Sequence, residues 1–191
     1  MLLALNTSMP ELTKRGPWTV LGTAIKYENP WIKVREDKVI RPDGKPGIHA
    51  IVEVKPGVSV LPLDGEGFVY LTKEFHYGVN RESLEVVSGG IEEKETPIEA
   101  AKRELLEELG IAAETWTDLG QVDPFTTIVV SPTKLFLARK LSFTKARQEG
   151  SETIKASRMK FEEALRKVMA SEITHSSSCV LILKANEYLK R

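Results

Sequence analysis

Cysteine is nearly absent from this 191-residue sequence, and Cys179 is its single representative. A lone thiol cannot form an intramolecular disulfide, and it excludes metal sites that are built from several cysteines. Cys179 lies in an apolar segment, residues 179–183, so we expect a packed thiol there rather than a nucleophile. The fold must therefore depend on an ordinary hydrophobic core, for which a hydrophobic content of 41% is sufficient.

An excess of charge of either sign is also absent. The chain has 27 Lys+Arg and 27 Asp+Glu, which gives a formal net charge of zero and a sequence pI of about 6.9. Proteins that bind long nucleic acids usually carry a clustered basic surface, so this balance gives no support to a nucleic-acid partner. A small phosphate-containing ligand needs no such excess, and small-molecule binding remains the expectation.

Long apolar runs are missing as well. No uninterrupted apolar segment approaches the roughly 20 residues that a membrane-spanning helix needs. Only five apolar residues stand before Asn6, too few for the apolar region of a secretory signal. We therefore expect no membrane association and a cytoplasmic location.

Strand-like segments separated by turn signals fill much of the chain, after a loose or strand-forming arm at residues 1–16. Helical spacing follows residue 96 and recurs near the end of the sequence. This order of strands, helix, strands and two helices predicts an α+β fold, an α/β/α sandwich in which helices flank a mixed β-sheet. The predicted strands are 20–27, 31–40, 48–55, 58–63, 68–75, 83–87, 121–125 and 134–140, and the two later helices are 160–170 and 176–190.

The first predicted helix has a start and a stop signal. Thr96 can cap the free amides, Pro97 fits the first helical position, and Glu99 completes a capping box. Gly110 is a helix stop that precedes the apolar Ile111. Between these signals, apolar residues repeat at helical spacing and should face a core; they are Ile98, Ala101, Leu105 and Leu109.

Three glutamates, Glu104, Glu107 and Glu108, lie close together on this helix. Like-charged pairs at this spacing repel each other by about 0.2–0.5 kcal/mol. A divalent cation that prefers hard oxygen ligands, such as Mg²⁺ or Mn²⁺, would turn this repulsion into coordination. The alternative is a solvated acidic face with ordinary salt bridges, which is the usual role of a charge run. The fixed spacing of the glutamates to the glycine pair at 89–90 and to Arg103 favours the metal site.

Gly89, Glu95, Arg103 and Gly110 complete the pattern around these glutamates. Residues 89–111 thereby match every fixed position of the Nudix box, and the chain resembles the Nudix hydrolases. Members of this family hydrolyse a nucleoside diphosphate that is linked to another group. The resemblance implies that Arg103 and Glu95 hold the glycine loop and the helix together instead of contacting substrate.

The same resemblance implies the metal ligands. Glu104, Glu107 and Glu108 match the family's ligands position by position, and the main-chain carbonyl before the first box glycine, here Ser88, commonly joins them. Glu107 and Glu108 are thereby also counted among the catalytic residues. The implied cofactor is Mg²⁺ or Mn²⁺.

The segment before the Nudix domain carries a second resemblance. Residues 29–44 and 73–82 are similar to the ADP-ribose and nucleoside diphosphate sugar pyrophosphatase group. In that group, N-terminal strands usually build a homodimer and complete the partner's site. We therefore expect an N-terminal antiparallel strand subdomain at residues 1–55, a Nudix hydrolase domain at 56–191, a homodimer and a nucleotide-sugar substrate.

Five residues outside the box are candidate substrate contacts. Trp31 can stack on a base or pack in a core or dimer interface, while Arg35 and Arg81 can bind a diphosphate or ribose or simply face water. Glu85 matches a carboxylate that the group uses near metal or substrate, unless it is an ordinary exposed strand glutamate. His76 occupies a position where the group often has an arginine, but an imidazole can still donate a hydrogen bond to a phosphate.

Activation of the attacking water requires a carboxylate or another base. In the ADP-ribose group this is typically a glutamate on a loop after the box, and Glu149 and Glu152 lie in such a context. Glu149 is slightly preferred, the alternative is two exposed loop carboxylates, and Asp123 is a weaker candidate.

We therefore expect Mg²⁺-dependent hydrolysis of ADP-ribose or a related nucleoside diphosphate sugar, giving a nucleoside monophosphate and a sugar phosphate. Pro124 and Pro132 lie on either side of the position where the ADP-ribose group has a characteristic proline, so the substrate is less well defined than the reaction. The alternatives are hydrolysis of GDP- or UDP-linked sugars, or non-catalytic ADP-ribose sensing. Sensors usually have lost box glutamates, whereas none is missing here.

Overall fold

The computed structural model describes residues 13–146 and 154–191. These residues form two compact units, one from residues 13–54 and 125–130, the other from residues 55–124, 131–146 and 154–191. The strands in chain order are β1 (Thr13–Arg15), β2 (Trp18–Glu28), β3 (Ile32–Ile40), β4 (Pro46–Val54), β5 (Gly57–Leu63), β6 (Phe68–His76), β7 (Arg81–Glu85), β8 (Val87–Gly90), β9 (Ile111–Val122), β10 (Val129–Val130), β11 (Thr133–Phe143) and β12 (Lys155–Lys160). The helices are α1 (Pro97–Leu109), α2 (Phe161–Met169) and α3 (Ser176–Leu189), and residues Tyr77–Val79 form a short 3-10 turn.

The first unit is built around one sheet, whose described strands run in the order β1-β2-β3-β4-β10. Neighbouring strands are antiparallel except that the two-residue β10 runs parallel to β4. One face packs Trp18 edge-on against His49, with ring centroids 5.6 Å apart. Several apolar side chains of the unit remain exposed, among them Trp31 and Ile48.

The second unit contains a mixed sheet with the main strand order β12-β6-β5-β11-β9, in which β7 also pairs with β6 and β8 with β5. Strand β11 runs parallel to β5, and the other described pairings are antiparallel. Every residue of β5 after Gly57 is buried, as expected for a central strand covered on both faces.

Side chains that alternate along the central strands divide the core into two layers. Val60 on β5 and Phe136 on β11 pack in one cluster with Leu105 of α1. Leu61 and Leu137, each one residue further along the chain, pack in the other cluster with α2 and α3. Helices therefore cover both faces of the sheet, which confirms the predicted α/β/α sandwich of the α+β class.

Helix α1 begins and ends at the predicted residues. The Glu99 amide donates to Thr96 Oγ1, and the Thr96 amide donates to the Glu99 carboxylate, forming a capping box with Pro97 at the start of the helix. The hydrogen bond from the Thr96 hydroxyl to the Glu99 carboxylate, and then the one from the Thr96 amide, lower the pKa of Glu99. At the other end, Gly110 has a φ of 64°, and its amide donates to the Leu106 carbonyl. Local sequence signals were therefore sufficient to define this helix.

The prediction of a strand at residues 121–125 is wrong. Strand β9 begins at Ile111, directly after the Gly110 turn, and ends at Val122. It is the last strand in the sheet order, so much of its surface is exposed, and its polar residues obscured the alternating pattern. The predicted segment 83–87 is likewise two strands, β7 and β8, separated at Val86.

The helices predicted near the end of the chain are confirmed as α2 and α3. Cys179 lies on α3, where its Sγ is 3.2 Å from the Ile173 carbonyl oxygen, and burial raises the pKa of the thiol. This is the predicted packed thiol rather than a reactive one. None of the helices formed by residues 13–146 and 154–191 is long and apolar enough to cross a membrane.

Candidate active site

The acidic residues of α1 occupy different depths on the helix. Glu108 is buried, with 7% of its surface exposed, whereas Glu104 and Glu107 are half-buried. Leu105, between them in sequence, is fully buried in the core against β5 and β11. Packing of the apolar face therefore fixes the direction in which the carboxylate face points.

Arg103 connects this acidic face to the loop before the helix. Its Nε and Nη2 atoms donate to the two oxygens of Glu95 at 2.8 and 2.9 Å, and Nη2 also donates to the Gly90 carbonyl at 2.9 Å. Its Nη1 atom donates to Glu104 at 2.7 Å and to Glu107 at 3.1 Å. A planar guanidinium with five donors suits such a branched set of acceptors.

These contacts also shift the pKa values of Glu95 and Arg103. Hydrogen bonding from Arg103 lowers the pKa of Glu95, and the bond to Glu95, followed by those to Glu104 and Glu107, raises the pKa of Arg103 further above its usual range. The arginine is thus a permanent positive charge among three carboxylates. It partly offsets the repulsion that the sequence predicts for this helix face.

Gly89 lies in direct contact with Glu104. A Cβ atom built on Gly89 would overlap the carboxyl group of Glu104. The same atom on Gly90 would meet only Lys55 Cδ, at 3.8 Å. Gly89 lies on β8, where it pairs with Val58 of β5, and not in the glycine loop that the sequence predicts. Its missing side chain provides the space in which a helix carboxylate sits against the strand backbone.

We expect Arg103→Ala to lower the free energy of unfolding by about 2 kcal/mol, since it removes several charge-assisted hydrogen bonds from a half-buried position. Arg103→Lys should recover only part of the loss, because an ammonium group cannot bridge Glu95, Glu104 and the Gly90 carbonyl at once. Urea unfolding measures both effects. Lys102→Ala, at the exposed neighbouring position, is the control. Equal stabilities for Arg103→Ala and Lys102→Ala would contradict the bridging role.

Within residues 13–146 and 154–191, no three His, Cys, Asp or Glu side chains are arranged to hold a metal ion. The site nevertheless suits a hard divalent cation in its chemistry. Its side-chain donors are all carboxylate oxygens. Two of them, on Glu104 and Glu107, already converge on one cationic nitrogen of Arg103.

A second polar group lies around Glu85, at the end of β7. His76 Nε2 is 3.1 Å from Glu85 Oε1, and His175 Nδ1 is 3.1 Å from Glu85 Oε2. The Glu85 side chain is only 15% exposed. The structure thus brings together two predicted residues, His76 and Glu85, and adds His175, which the sequence analysis missed.

The first turn of α3 also contacts the strand segment that follows Glu85. Ser178 Oγ, fully buried, accepts a hydrogen bond from the Val86 amide at 3.0 Å. Ser88 Oγ in turn donates to the Val86 carbonyl at 3.1 Å and lies 2.9 Å from Ser59 Oγ. In the sequence, the start of this helix shows as a polar segment, residues 174–178, before an apolar run. This pattern does not indicate which strand the start of the helix contacts.

The remaining candidate substrate residues are Arg81, Trp31 and Arg35. Arg81 is exposed, and its Nη2 donates to Thr174 Oγ1 at 2.9 Å. Arg35 lies on β3 of the first unit, and Trp31 lies in the turn directly before that strand. Trp31 is 71% exposed, whereas Arg35 is mostly buried and pairs with Glu53, its Nε lying 2.9 Å from Oε1.

The candidates for water activation are Glu149, Glu152 and Asp123. Glu149 and Glu152 lie outside the described residues. Asp123, the weaker alternative, is exposed directly after β9.

Two family models match this chain. Residues 53–176 match the family model of the NUDIX domain, and residues 18–52 match that of the nucleoside diphosphate sugar hydrolase N-terminal domain. An ADP-ribose pyrophosphatase of Bacillus subtilis (strain 168) is 29% identical over 149 residues, which cover 74% of this chain and 77% of that protein. An ADP-ribose pyrophosphatase of Mycobacterium tuberculosis is 26% identical over 154 residues, covering 78% and 74% of the two chains.

A solved structure described as an ADP compounds hydrolase has the same fold. It superposes with a TM-score of 0.80 at 18% sequence identity and covers 93% of this chain and 97% of its own. The family matches together span most of the sequence, and the box glutamates lie on a helix that is tied to Gly90 as described above. The chain therefore belongs to the Nudix family of hydrolases.

Proposed function

We propose that this protein hydrolyses the diphosphate linkage of ADP-ribose or a related nucleoside diphosphate sugar, with Mg²⁺ or Mn²⁺ as cofactor. The observation that carries the proposal is the acidic face of α1, which Arg103 ties to Gly90 at the end of β8. All three box glutamates are present on this face. A binding-only protein has no need to retain them.

Glu104, Glu107 and Glu108, together with the Ser88 carbonyl, would hold the divalent cation. When bound, such a cation neutralises charge on the diphosphate and favours deprotonation of the attacking water. Arg103 contributes because its Nη1 atom contacts both Glu104 and Glu107 and so fixes the positions of these two carboxylates. Gly89 contributes the space that Glu104 occupies.

A glutamate on a loop after the box would orient the attacking water molecule. We propose Glu149 for this role and Glu152 as its alternative, on the family resemblance alone. A carboxylate there would accept the proton from water as the oxygen attacks one phosphorus. The bond between that phosphorus and the bridging oxygen breaks, leaving a nucleoside monophosphate and a sugar phosphate.

ADP-ribose is the substrate that the relatives favour, since two of them are named as ADP-ribose pyrophosphatases. We propose Glu85, His76 and Arg81 as substrate contacts. Trp31 and Arg35 are proposed as substrate contacts on the family resemblance alone, in which N-terminal strands complete the partner's site. Arg35 is the least accessible of these, because Glu53 and Asp37 already surround its guanidinium.

We further propose that the strands of residues 1–55 form a dimerisation subdomain and that 56–191 is the catalytic domain. Exposed apolar side chains on the first unit support a homodimer, since burying them in an interface would be favourable. Among them are Leu21, Ile25, Tyr27, Trp31 and Ile48. The cytoplasmic location stays a prediction.

The substrate is tested by incubating the protein with Mg²⁺ and a panel of ADP-ribose, GDP- and UDP-sugars, dinucleotides and nucleoside triphosphates. Products are identified by mass spectrometry. We expect the highest kcat/KM for ADP-ribose or another ADP-linked sugar. Preference for a GDP- or UDP-sugar would change the substrate but keep the reaction, whereas cleavage of triphosphates alone would contradict the proposal.

A further inference from the structure

The Glu85 carboxylate is held from both sides by residues far apart in sequence. One oxygen faces His76 Nε2, at the end of β6, and the other faces His175 Nδ1, directly before α3, each at 3.1 Å. A glutamate at a strand end ordinarily samples several rotamers. Contacts to both oxygens from two different elements restrict it to one orientation.

His175 is itself held in place by the start of α3. Its Nδ1 lies 2.9 Å from Ser178 Oγ, which is buried and accepts the Val86 amide hydrogen bond. Next to it, Thr174 Oγ1 accepts a hydrogen bond from Arg81. The imidazole therefore belongs to a packed helix start that is bonded to the very strand carrying Glu85.

The contact of His175 with a carboxylate favours a proton on Nδ1. An ionised carboxylate only accepts hydrogen bonds, so the imidazole nitrogen that faces it must carry a proton. Burial lowers the pKa of His175, against the opposing effect of Glu85, and His76 lowers it further. A proton on Nδ1 has two acceptors within reach, Glu85 Oε2 at 3.1 Å and Ser178 Oγ at 2.9 Å.

We propose that His175, together with His76, is a positioning residue that holds the Glu85 carboxylate in the orientation in which it contacts the substrate. This inference rests on the proposed function, because it assigns His175 a role in turnover through Glu85. His175 is not a catalytic residue in this scheme. The helix start at 174–178 instead serves as the support for a substrate-binding strand end.

The test compares four single variants and one double variant in kcat/KM for the best substrate of the panel. Asparagine places an amide N–H close to the position of the imidazole Nδ1–H, so His175→Asn is the conservative variant and His175→Ala removes the donor. We expect His175→Ala to lose about tenfold or more, as is typical when the partner that orients a functional group is removed. His175→Asn should stay within about threefold of the wild-type value.

The double variant separates positioning from general loss of structure. Because His175 acts through Glu85, His175→Ala should cause no further loss in a Glu85→Gln background, and the two effects should be non-additive. Cys179→Ala is the matched control, since it disturbs packing in the same helix turn without contacting Glu85. We expect this control to lower the melting temperature but to keep kcat/KM within about twofold.

The outcomes are distinguishable. The inference is overturned if the wild-type protein is active but the losses in kcat/KM from His175→Ala and Glu85→Gln are additive. It is also overturned if His175→Asn is as impaired as His175→Ala. In both cases the proposed function stands. A wild-type protein that cleaves no member of the panel would overturn the proposed function and this inference with it. Non-additive losses with rescue by asparagine support the positioning role.

Discussion

Glu108→Gln is expected to lower kcat by about a thousandfold or more while the protein keeps its fold. The substitution replaces a charged oxygen ligand of the proposed cation site by a neutral amide of the same shape. Metal-ion catalysis is worth several kcal/mol, and each 1.36 kcal/mol corresponds to about a tenfold change in rate. Because Glu108 is buried on α1, its replacement by a residue of equal size leaves the packing of the helix unchanged.

The matched control is Glu99→Gln, which makes the same chemical change on the first turn of the same helix. Glu99 serves the capping box and lies outside the acidic face, so kcat should stay within about twofold of the wild-type value. Circular dichroism and thermal unfolding check the fold of both variants. A folded Glu108→Gln protein with wild-type kcat would exclude Glu108 from the metal site.

Gly89→Ala is expected to have the second largest effect, a loss of about a hundredfold in kcat/KM. The added methyl group would overlap the Glu104 carboxyl group, so either that side chain or the strand must move. Displacement of a functional group by about 1 Å can cost about 10²-fold in rate. Overpacking of this kind also costs about 1–3 kcal/mol of stability.

Gly90→Ala provides a comparison at the adjacent position. Its methyl group would meet only the flexible side chain of Lys55, at 3.8 Å, so kcat/KM should change by less than about threefold. Steady-state kinetics of the two alanine variants measured side by side give the difference. Similar activities for both would show that the close approach of Gly89 to Glu104 is unimportant for turnover.

The parts of this site that are local in sequence could be predicted from the sequence. Thr96 and Gly110 define the ends of α1 because capping depends on neighbouring residues. The apolar spacing of Ala101 and Leu105 predicts which face is buried, and hence where the glutamates point. The Nudix resemblance then supplied the link between Arg103 and the glycine loop, and the structure shows its atomic contacts.

Contacts between distant segments could not be predicted in the same way. The hydrogen bond from Val86 to Ser178 and the contact between Glu85 and His175 depend on how α3 packs on the sheet. Nothing in the polar segment before α3 identifies the strand that it meets. Strand β9 was misplaced for a related reason, since an edge strand with an exposed surface tolerates polar residues that hide its period.

Metal-dependent hydrolysis of the diphosphate is tested most directly by incubating ADP-ribose with the protein in ¹⁸O-labelled water, with and without Mg²⁺. The products are then analysed by mass spectrometry. We predict AMP and ribose 5-phosphate as the two products, with the label in the phosphate of only one of them, and no cleavage once the divalent cation is removed by a chelator. Label in one product follows because water attacks a single phosphorus. Failure to cleave any nucleoside diphosphate sugar in the presence of Mg²⁺ or Mn²⁺, or cleavage at an unchanged rate in the presence of the chelator, would contradict a metal-dependent diphosphate hydrolase.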